Sequence, residues 1–293
     1  MLFLFILLNM KKILILVFLL LELYIFYYSK NLLIEEINTI NICLYTLLPS
    51  MFYSIFISSF LSNLELYKIL PKRLFNLCNK DIEIIILSLL SGYPNNIRFL
   101  NNSNNKYLIY STNFVNPIFF ILSVNNLYIK DIKLSLIILI SHYLSNIIIF
   151  IINKNKIKHY KYNNDNFISL SDSYYKSINN TIKSLSIIFS NLLFITIFIS
   201  LLKNILPFNI FTKSILIGLL EFSNGIFMIS KLNISLYLKG LIILIFISFN
   251  SISIFLQQLS FNPKIKSVKF LLYKILNTII SIIIFNVIIL LMN

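Results

Sequence analysis

Apolar residues fill this chain in runs, and polar residues mark where the runs stop. A run of about 17–25 apolar residues is what a helix needs to cross a bilayer core. The first covers about 13–28, directly after Lys11-Lys12, and ends in Tyr27-Tyr28-Ser29-Lys30 with no small-residue cleavage site. It reads as an uncleaved anchor rather than a removed leader, and Met10-Lys11-Lys12 reads as a translation start. A second run, about 39–61, contains Pro49-Ser50 and precedes a basic loop with Lys68, Lys72, Arg73 and Lys80. Two interrupted stretches near 82–100 and 107–124 are followed by a clean run at about 134–152. A polar linker, 153–176, holds Lys154, Lys156, Lys158 and Lys161, with His159 solvated among them. Beyond it come a run at about 178–202, an interrupted segment at 214–231, and runs at 234–256 and 272–292. Lys264, Lys266, Lys269 and Lys274 separate those last two.

Composition narrows the class. The 293 residues are 58% hydrophobic and 12% charged, with a mean hydropathy of +0.86. Soluble domains run at roughly 45–50% apolar and about 25% charged. Cys43 and Cys78 stand alone in or beside apolar segments, which excludes a disulfide scaffold. The scarcity of polar residues excludes disorder. The net charge of +15 is not a nucleic-acid signal, because 23 of the 25 basic residues are lysine and only Arg73 and Arg98 supply arginine forks. The charge is read as topology.

Cytoplasmic loops collect lysine. With the N-terminus inside and every apolar stretch a simple span, the lysines of 154–161 land outside. A re-entrant hairpin over 82–106, turning at Gly92-Tyr93-Pro94 and returning to the cytoplasmic side, removes that conflict. The 107–124 helix then crosses outward, 134–152 crosses back, and the lysine linker is inside. A second hairpin over 214–231, entered from outside, places the 264–274 lysines inside as well. Helix, hairpin, helix, helix then occurs at 39–152 and again at 178–292, displaced by roughly 130–140 residues and inverted, the pattern of secondary transporters. Irregular backbone at membrane depth is tolerated only where it is buried in protein or lines a polar cavity.

The interruptions carry the candidate chemistry. The first tip is Ser91-Gly92-Tyr93-Pro94-Asn95-Asn96-Ile97-Arg98. A half-helix starting after Pro94 directs free N–H groups and a positive dipole end at anionic or carbonyl groups; the alternative is a proline kink in a spanning helix. On the facing helix, Asn113 and Asn116 share a face at i,i+3, and Pro117 frees the carbonyl of Asn113; the alternative is interhelical hydrogen-bond glue. The second tip is Gly218-Leu219-Leu220-Glu221-Phe222-Ser223-Asn224-Gly225. Glu221 sits centrally in an apolar stretch, which makes it a substrate or ion-coupling candidate, or a protonated packing residue. Glu22 snorkels from the first anchor. Asn250, Ser253 and Gln257 form a helical stripe at i, i+3, i+7. His142 reads as a hydrogen-bonded packing residue. No glycine-rich phosphate loop, Cys/His metal spacing or nucleophile elbow is present, so no catalytic residue, metal or cofactor is expected.

In order, Gly92-Tyr93-Pro94-Asn95-Asn96-Ile97-Arg98, Thr112-Asn113-Phe114-Val115-Asn116-Pro117, His142-Tyr143-Leu144-Ser145-Asn146 and Gly218-Leu219-Leu220-Glu221-Phe222-Ser223-Asn224-Gly225 resemble the sporulation integral membrane proteins of the YlbJ type, in the nucleoside-recognition (Gate) superfamily. The resemblance runs from Leu48-Pro49-Ser50 to the last helix. The family pattern has a second glycine and a lysine where this chain has Asn96 and Arg98. Its later glycine pair and histidine are replaced around Ser248-Phe249-Asn250-Ser251 and Phe255, leaving Gln257. The resemblance implies a role in endospore formation, in the mother-cell membrane around the forespore, and movement of dipicolinate.

The expected fold is all-α: a polytopic helical membrane protein with inverted repeats and two re-entrant hairpins. It divides into an anchor helix and loop at 1–38, a first repeat at 39–152, a basic cytoplasmic linker at 153–177 and a second repeat at 178–293. The expected substrate-binding residues are Gly92, Tyr93, Pro94, Asn95, Arg98, Asn113, Asn116, Glu221, Ser223, Asn224, Asn250 and Gln257, with Glu221 also coupling to H+ or Na+. The expected partners are the bilayer and a small anionic or nucleoside-like solute, without nucleic acid, and a homo-oligomer is allowed. A permease is the leading expectation; a non-transporting scaffold for the spore envelope and a channel subunit are the alternatives.

Overall fold

The computed structural model describes residues 2–71, 73–74, 77–100, 106–156, 169–204, 207–263, 265 and 267–292. Lys72, Lys158, His159, Lys161, Lys264 and Lys266 lie outside the described residues. The described chain is mostly helical, with a small ribbon in which Arg73–Leu74 (β1) pairs antiparallel with Leu77–Cys78 (β2). Among the described residues, five helical stretches are long and apolar enough to cross a membrane: Ser29–Asn63, Ile132–Lys156, Leu170–Asn204, Leu236–Phe261 and Val268–Met292. Their outward faces carry rows of exposed Ile and Leu, such as Ile140, Ile147 and Ile151 on one helix and Ile279, Ile283 and Val287 on another. Apolar faces of this extent need lipid rather than water around them. The protein is a multi-pass integral membrane protein of helical type.

Helix α1 is Leu2–Tyr27, and α2 (Ser29–Ile42) runs through a π-helical turn at Cys43–Leu47 into α3 (Leu48–Asn63). The 29–38 loop expected from its polar residues is helical, since nothing from Ser29 to Ile42 is a helix breaker. Pro49 has no N–H for the carbonyl of Tyr45. The chain widens there, and Leu48 N bonds the carbonyl of Cys43 instead.

Two short helix pairs follow the long helices. The first is α4 (Asn79–Ser91) with α5 (Asn96–Leu100). The second is α9 (Ile210–Leu220) with α10 (Phe222–Ser230), after α8 (Leu170–Asn204). Even the longest arm, α4 with 13 residues, is about 20 Å long, short of a bilayer core of about 30 Å. The second pair folds back on itself. A Cβ on Gly225 would lie 2.1 Å from the Cα of Gly218, so only two glycines let these arms touch.

Each hairpin is followed by a broken helix and then a long one. After the first, a 3₁₀ turn at Lys106–Tyr110 gives way to extended chain at 111–116, then α6 (Pro117–Phe119), which widens into π-helix at Phe120–Ile129. The single helix expected at 107–124 is therefore divided. Asn116 caps α6, its Oδ1 accepting from Phe119 N at 3.1 Å, and Pro117 stands in the first turn where its missing N–H costs nothing. After the second hairpin, α11 (Leu236–Phe249) stops at Asn250 in the left-handed region, φ 56°, and α12 (Ile252–Phe261) begins beyond Ser251. The stripe expected over Asn250, Ser253 and Gln257 is broken at its first member.

The closing helices are α7 (Ile132–Asn153) and α13 (Ser267–Met292). The order helix, hairpin, broken helix, helix thus occurs in both halves. Helix α3 packs along α8, and α7 along α13, so these helices lie beside their counterparts. The end of the expected linker, 170–177, belongs to α8. The largest apolar cluster gathers Tyr93, Val115, Phe119, Phe222, Ile226, Phe246 and Ile247, residues at or beside the breaks.

Candidate functional site

The four interruptions meet inside the protein. Residues 91–97 and 110–116 are buried without exception. The first tip turns at Gly92, φ 69°, followed by a cis Tyr93-Pro94 bond. A Cβ on Gly92 would lie 2.4 Å from Asn116 N, so glycine both allows the left-handed turn and admits the extended segment. Tyr93 N donates to the carbonyl of Phe114 at 2.8 Å. The Tyr93 ring meets Phe222 edge-on, centroids 6.1 Å apart, and its hydroxyl donates to the carbonyl of Ile247 at 3.3 Å. One side chain therefore joins the first tip to the second tip and to the end of α11.

The second tip is organised by Glu221, 1% exposed, which is the single residue between α9 and α10. Its Oε1 accepts from Ser223 N at 3.1 Å; its Oε2 accepts from Asn224 N at 2.7 Å and Asn224 Nδ2 at 3.1 Å. This is a helix N-cap made by glutamate, with the carboxylate at the positive end of the α10 dipole. The cap gives both side-chain oxygens hydrogen-bond partners where burial leaves no water to supply them.

Between the tips lies a small cavity of about 20 Å³, lined by Tyr93, Pro94, Asn116, Glu221, Phe222, Ser223 and Gln257, with apolar walls from Leu47, Met51, Phe119, Ile188 and Leu192. That is the space of about one water molecule. Of the twelve expected site residues, Tyr93, Pro94, Asn116, Glu221, Ser223 and Gln257 line it. Gly92 and Asn224 do not line it; each is the chain neighbour of a residue that does, Tyr93 and Ser223.

The remaining four are not at the cavity. Asn113 does not share a face with Asn116, because the segment between them is extended rather than helical. Its Oδ1 instead accepts from Gln258 Nε2 at 2.8 Å and Asn96 Nδ2 at 3.2 Å, a three-amide cluster joining both halves. Asn116 Nδ2 points the other way, to Ser54 Oγ at 2.5 Å and the carbonyl of Ser91 at 3.2 Å. Arg98 Nη1 donates to the carbonyl of Asn180 at 2.9 Å and to Ser184 Oγ at 3.2 Å. Ser184 Oγ also donates to Asn95 Oδ1 at 3.0 Å, so Asn95 and Arg98 fasten the hairpin to α8. Asn250 lies at the second helix break.

His142 is the packing residue the sequence suggests. Its Nε2 accepts from Val115 N at 3.1 Å, and its Nδ1 contacts Ser248 Oγ at 3.1 Å. With Nε2 accepting, Nδ1 carries the proton and donates to Ser248. Tyr143 Oη donates to the carbonyl of Val115 at 3.0 Å. Lys274 departs furthest from expectation. Placed by sequence in the cytoplasmic lysine loop, it is 3% exposed and seven residues inside α13.

Buried side-chain atoms without hydrogen-bond partners concentrate around these breaks: Asn95 Nδ2, Asn146 Oδ1, Ser223 Oγ, both amide atoms of Asn250, Ser251 Oγ, Gln257 Oε1 and Gln258 Oε1. Native proteins leave few such atoms, and each marks strain or an absent partner. Among the described residues no group of three or more His, Cys, Asp or Glu side chains is placed to hold a metal. No protein-family model, curated protein or solved structure matches this chain.

Proposed function

We propose that this protein is a sporulation-associated multipass permease that moves a small anionic or nucleoside-like solute by alternating access, with dipicolinate as the first candidate. In this reading the halves are inverted repeats, the hairpins enter from opposite sides, and the protein works in the mother-cell membrane around the forespore. The observation that carries it is the cavity between the two hairpin tips, lined also by Asn116 at the end of the extended segment and by Gln257 beyond the α11–α12 break, with partnerless polar atoms on Ser223 and Gln257. Broken backbone and unpaired amides at membrane depth are costly. A scaffold has no use for them, whereas a carrier exchanges them for solute contacts when the cavity opens. In this reading the cavity of about 20 Å³ belongs to the occluded form of the carrier, and a solute enters when a hairpin moves.

Glu221 separates the two solute classes. An ionised carboxylate at the cavity accepts hydrogen bonds from the hydroxyls of a nucleoside, while a dianion beside it requires the carboxyl to be protonated. The test is uptake of radiolabelled dipicolinate and of nucleosides into proteoliposomes containing the purified protein. The expected result is saturable dipicolinate uptake above protein-free vesicles, with Glu221→Gln, fixed in the neutral form, keeping dipicolinate binding and losing ion-driven accumulation at least tenfold. A deletion strain that forms spores with normal dipicolinate content overturns the sporulation role. Absence of flux for both solutes overturns the permease.

A further inference from the structure

Among the described residues Arg98 is a cation without a counter-ion. The ion pairs found there join Lys68 to Glu65, Lys80 to Glu83 and Lys203 to Glu35, and none includes an arginine. A guanidinium stays protonated in a protein, so burial does not discharge it, and it offers five N–H donors in a planar fork. One nitrogen, Nη1, is spent on the carbonyl of Asn180 and on Ser184 Oγ. Nη2 and Nε have no hydrogen-bond partner among the described residues, although the residue is half-buried.

A second unspent donor stands beside it. Ser184 Oγ, 3.2 Å from Arg98 Nη1, donates to Asn95 Oδ1 at 3.0 Å, and the other end of that amide, Nδ2, is buried without a partner. Asn95 is 0% exposed. A wholly buried amide N–H2 without an acceptor is costly until something supplies one. Two side chains that meet on one hydroxyl thus hold N–H groups in excess, and the acceptor they lack is an anion. The cluster adjoins the cavity. Asn95 follows Pro94, Ser184 is one turn of α8 before Ile188, and Pro94 and Ile188 both line the cavity. Arg98 is partly exposed and Asn95 is not, so the pair leads inward.

We propose that Arg98 and Asn95 form an outer anion site, which holds a solute carboxylate one turn of α8 from the cavity before the solute passes the first tip. The proposal rests on the permease reading and narrows its substrate to carboxylates, since a nucleoside brings no anionic group to such a site. The Nε–Nη2 edge of the guanidinium matches the two oxygens of a carboxylate, and charge-assisted pairs of this kind are about twice as strong as neutral hydrogen bonds. Asn95 Nδ2 donates to the same group, which ends its isolation. Nη1 keeps its bonds to α8, so the anion binds without releasing the hairpin.

Arginine-selective labelling tests the site without removing the arginine. Arg73 is the other arginine of the chain, so Arg73→Lys leaves Arg98 as the single target for phenylglyoxal in the purified protein, read by mass spectrometry. Dipicolinate at about ten times its Kd is expected to slow modification about tenfold, whereas its neutral diamide, uridine and phosphatidylglycerol do not. No protection by dipicolinate overturns the proposal. Equal protection by the neutral diamide overturns the anion, and protection by phosphatidylglycerol alone makes the occupant a lipid phosphate and overturns the solute site. In calorimetry, dipicolinate affinity is expected to fall about tenfold or more in Arg98→Gln and by less in Arg98→Lys, which keeps the charge and loses the fork. Unchanged affinity in Arg98→Gln overturns the proposal, and the labelling result decides it should that variant fail to fold. Neither measurement needs flux. If no solute crosses proteoliposomes, the permease fails and protection of Arg98 still decides the site; uptake without protection leaves the permease and removes the site.

Discussion

The two broken helices solve the same problem in opposite ways. At 111–116 the exposed backbone is taken up by neutral side chains: Val115 N by His142, its carbonyl by Tyr143, and the carbonyl of Thr112 by Asn96 at 3.0 Å. At Asn250 and Ser251 the side chains are buried without partners, and the carbonyl of Asn250 is met by the Nζ of Lys274 at 3.0 Å. A fully satisfied polar network is rigid, whereas a partly satisfied one has bonds still to make. In the carrier reading the first break is therefore the frame and the second the part that moves. Arg98 fits this division, since it fastens the first hairpin to α8 rather than facing the cavity.

That contrast can be tested in order of expected effect. The arms of the second hairpin meet backbone to backbone, so Gly225→Ala, with its Cβ 2.1 Å from Gly218 Cα, has nothing soft to displace. A loss above about 4 kcal/mol is expected, seen as absence of a monodisperse peak after detergent extraction. Normal yield would mean that the arms separate freely. His142→Ala removes two buried bonds from the frame and leaves a void, at an expected cost of about 3 kcal/mol in thermal or denaturant unfolding. Asn250→Gly is the matched change at the moving break. It deletes a side chain with no partners at a left-handed position that glycine adopts freely, so its cost is expected within about 1 kcal/mol. Equal losses for these two variants would erase the distinction between frame and moving part.

Glu221→Ala strips the α10 cap and is expected to cost about 2 kcal/mol, with Glu221→Gln keeping roughly half of that. A small effect, like that of Asn250→Gly, is expected from Tyr93→Phe. It removes only the 3.3 Å bond to the carbonyl of Ile247 and is expected to cost about 1 kcal/mol or less. A much larger loss would make that bond a principal tie between the halves.

Much of this arrangement is legible in the sequence. Gly92 and Pro94 announce the first tip because glycine alone tolerates φ 69° there, and Glu221 announces the second because an isolated acid in an apolar run needs a reason. The division of 107–124 was harder to see, although Asn116-Pro117 is a helix start, a capping side chain followed by proline in the first turn. Taking 107–124 as one helix puts Asn113 and Asn116 on one face, which the extended segment at 111–116 does not. The capping role of Glu221 was likewise hidden, since its donors are backbone N–H groups freed only when the chain turns.

Lys274 was misplaced because lysines spaced a few residues apart read as a basic loop. The signal against that lies in period rather than composition. Phe270, Lys274, Asn277 and Ser281 recur at i, i+4, i+7, i+11 and form the buried face of α13. A lysine in register with such a stripe belongs to the interior.

The central claim is that the hairpins fold back from opposite sides of the membrane, and side-specific cysteine labelling tests it most directly. Lys156→Cys and Asn209→Cys, both at exposed positions, are placed singly in a Cys43→Ser, Cys78→Ser background and treated with an impermeant maleimide. The expected result is modification of Asn209→Cys on intact cells and of Lys156→Cys only after the cytoplasmic face is opened. The reverse pattern, which simple spans require, would contradict the account.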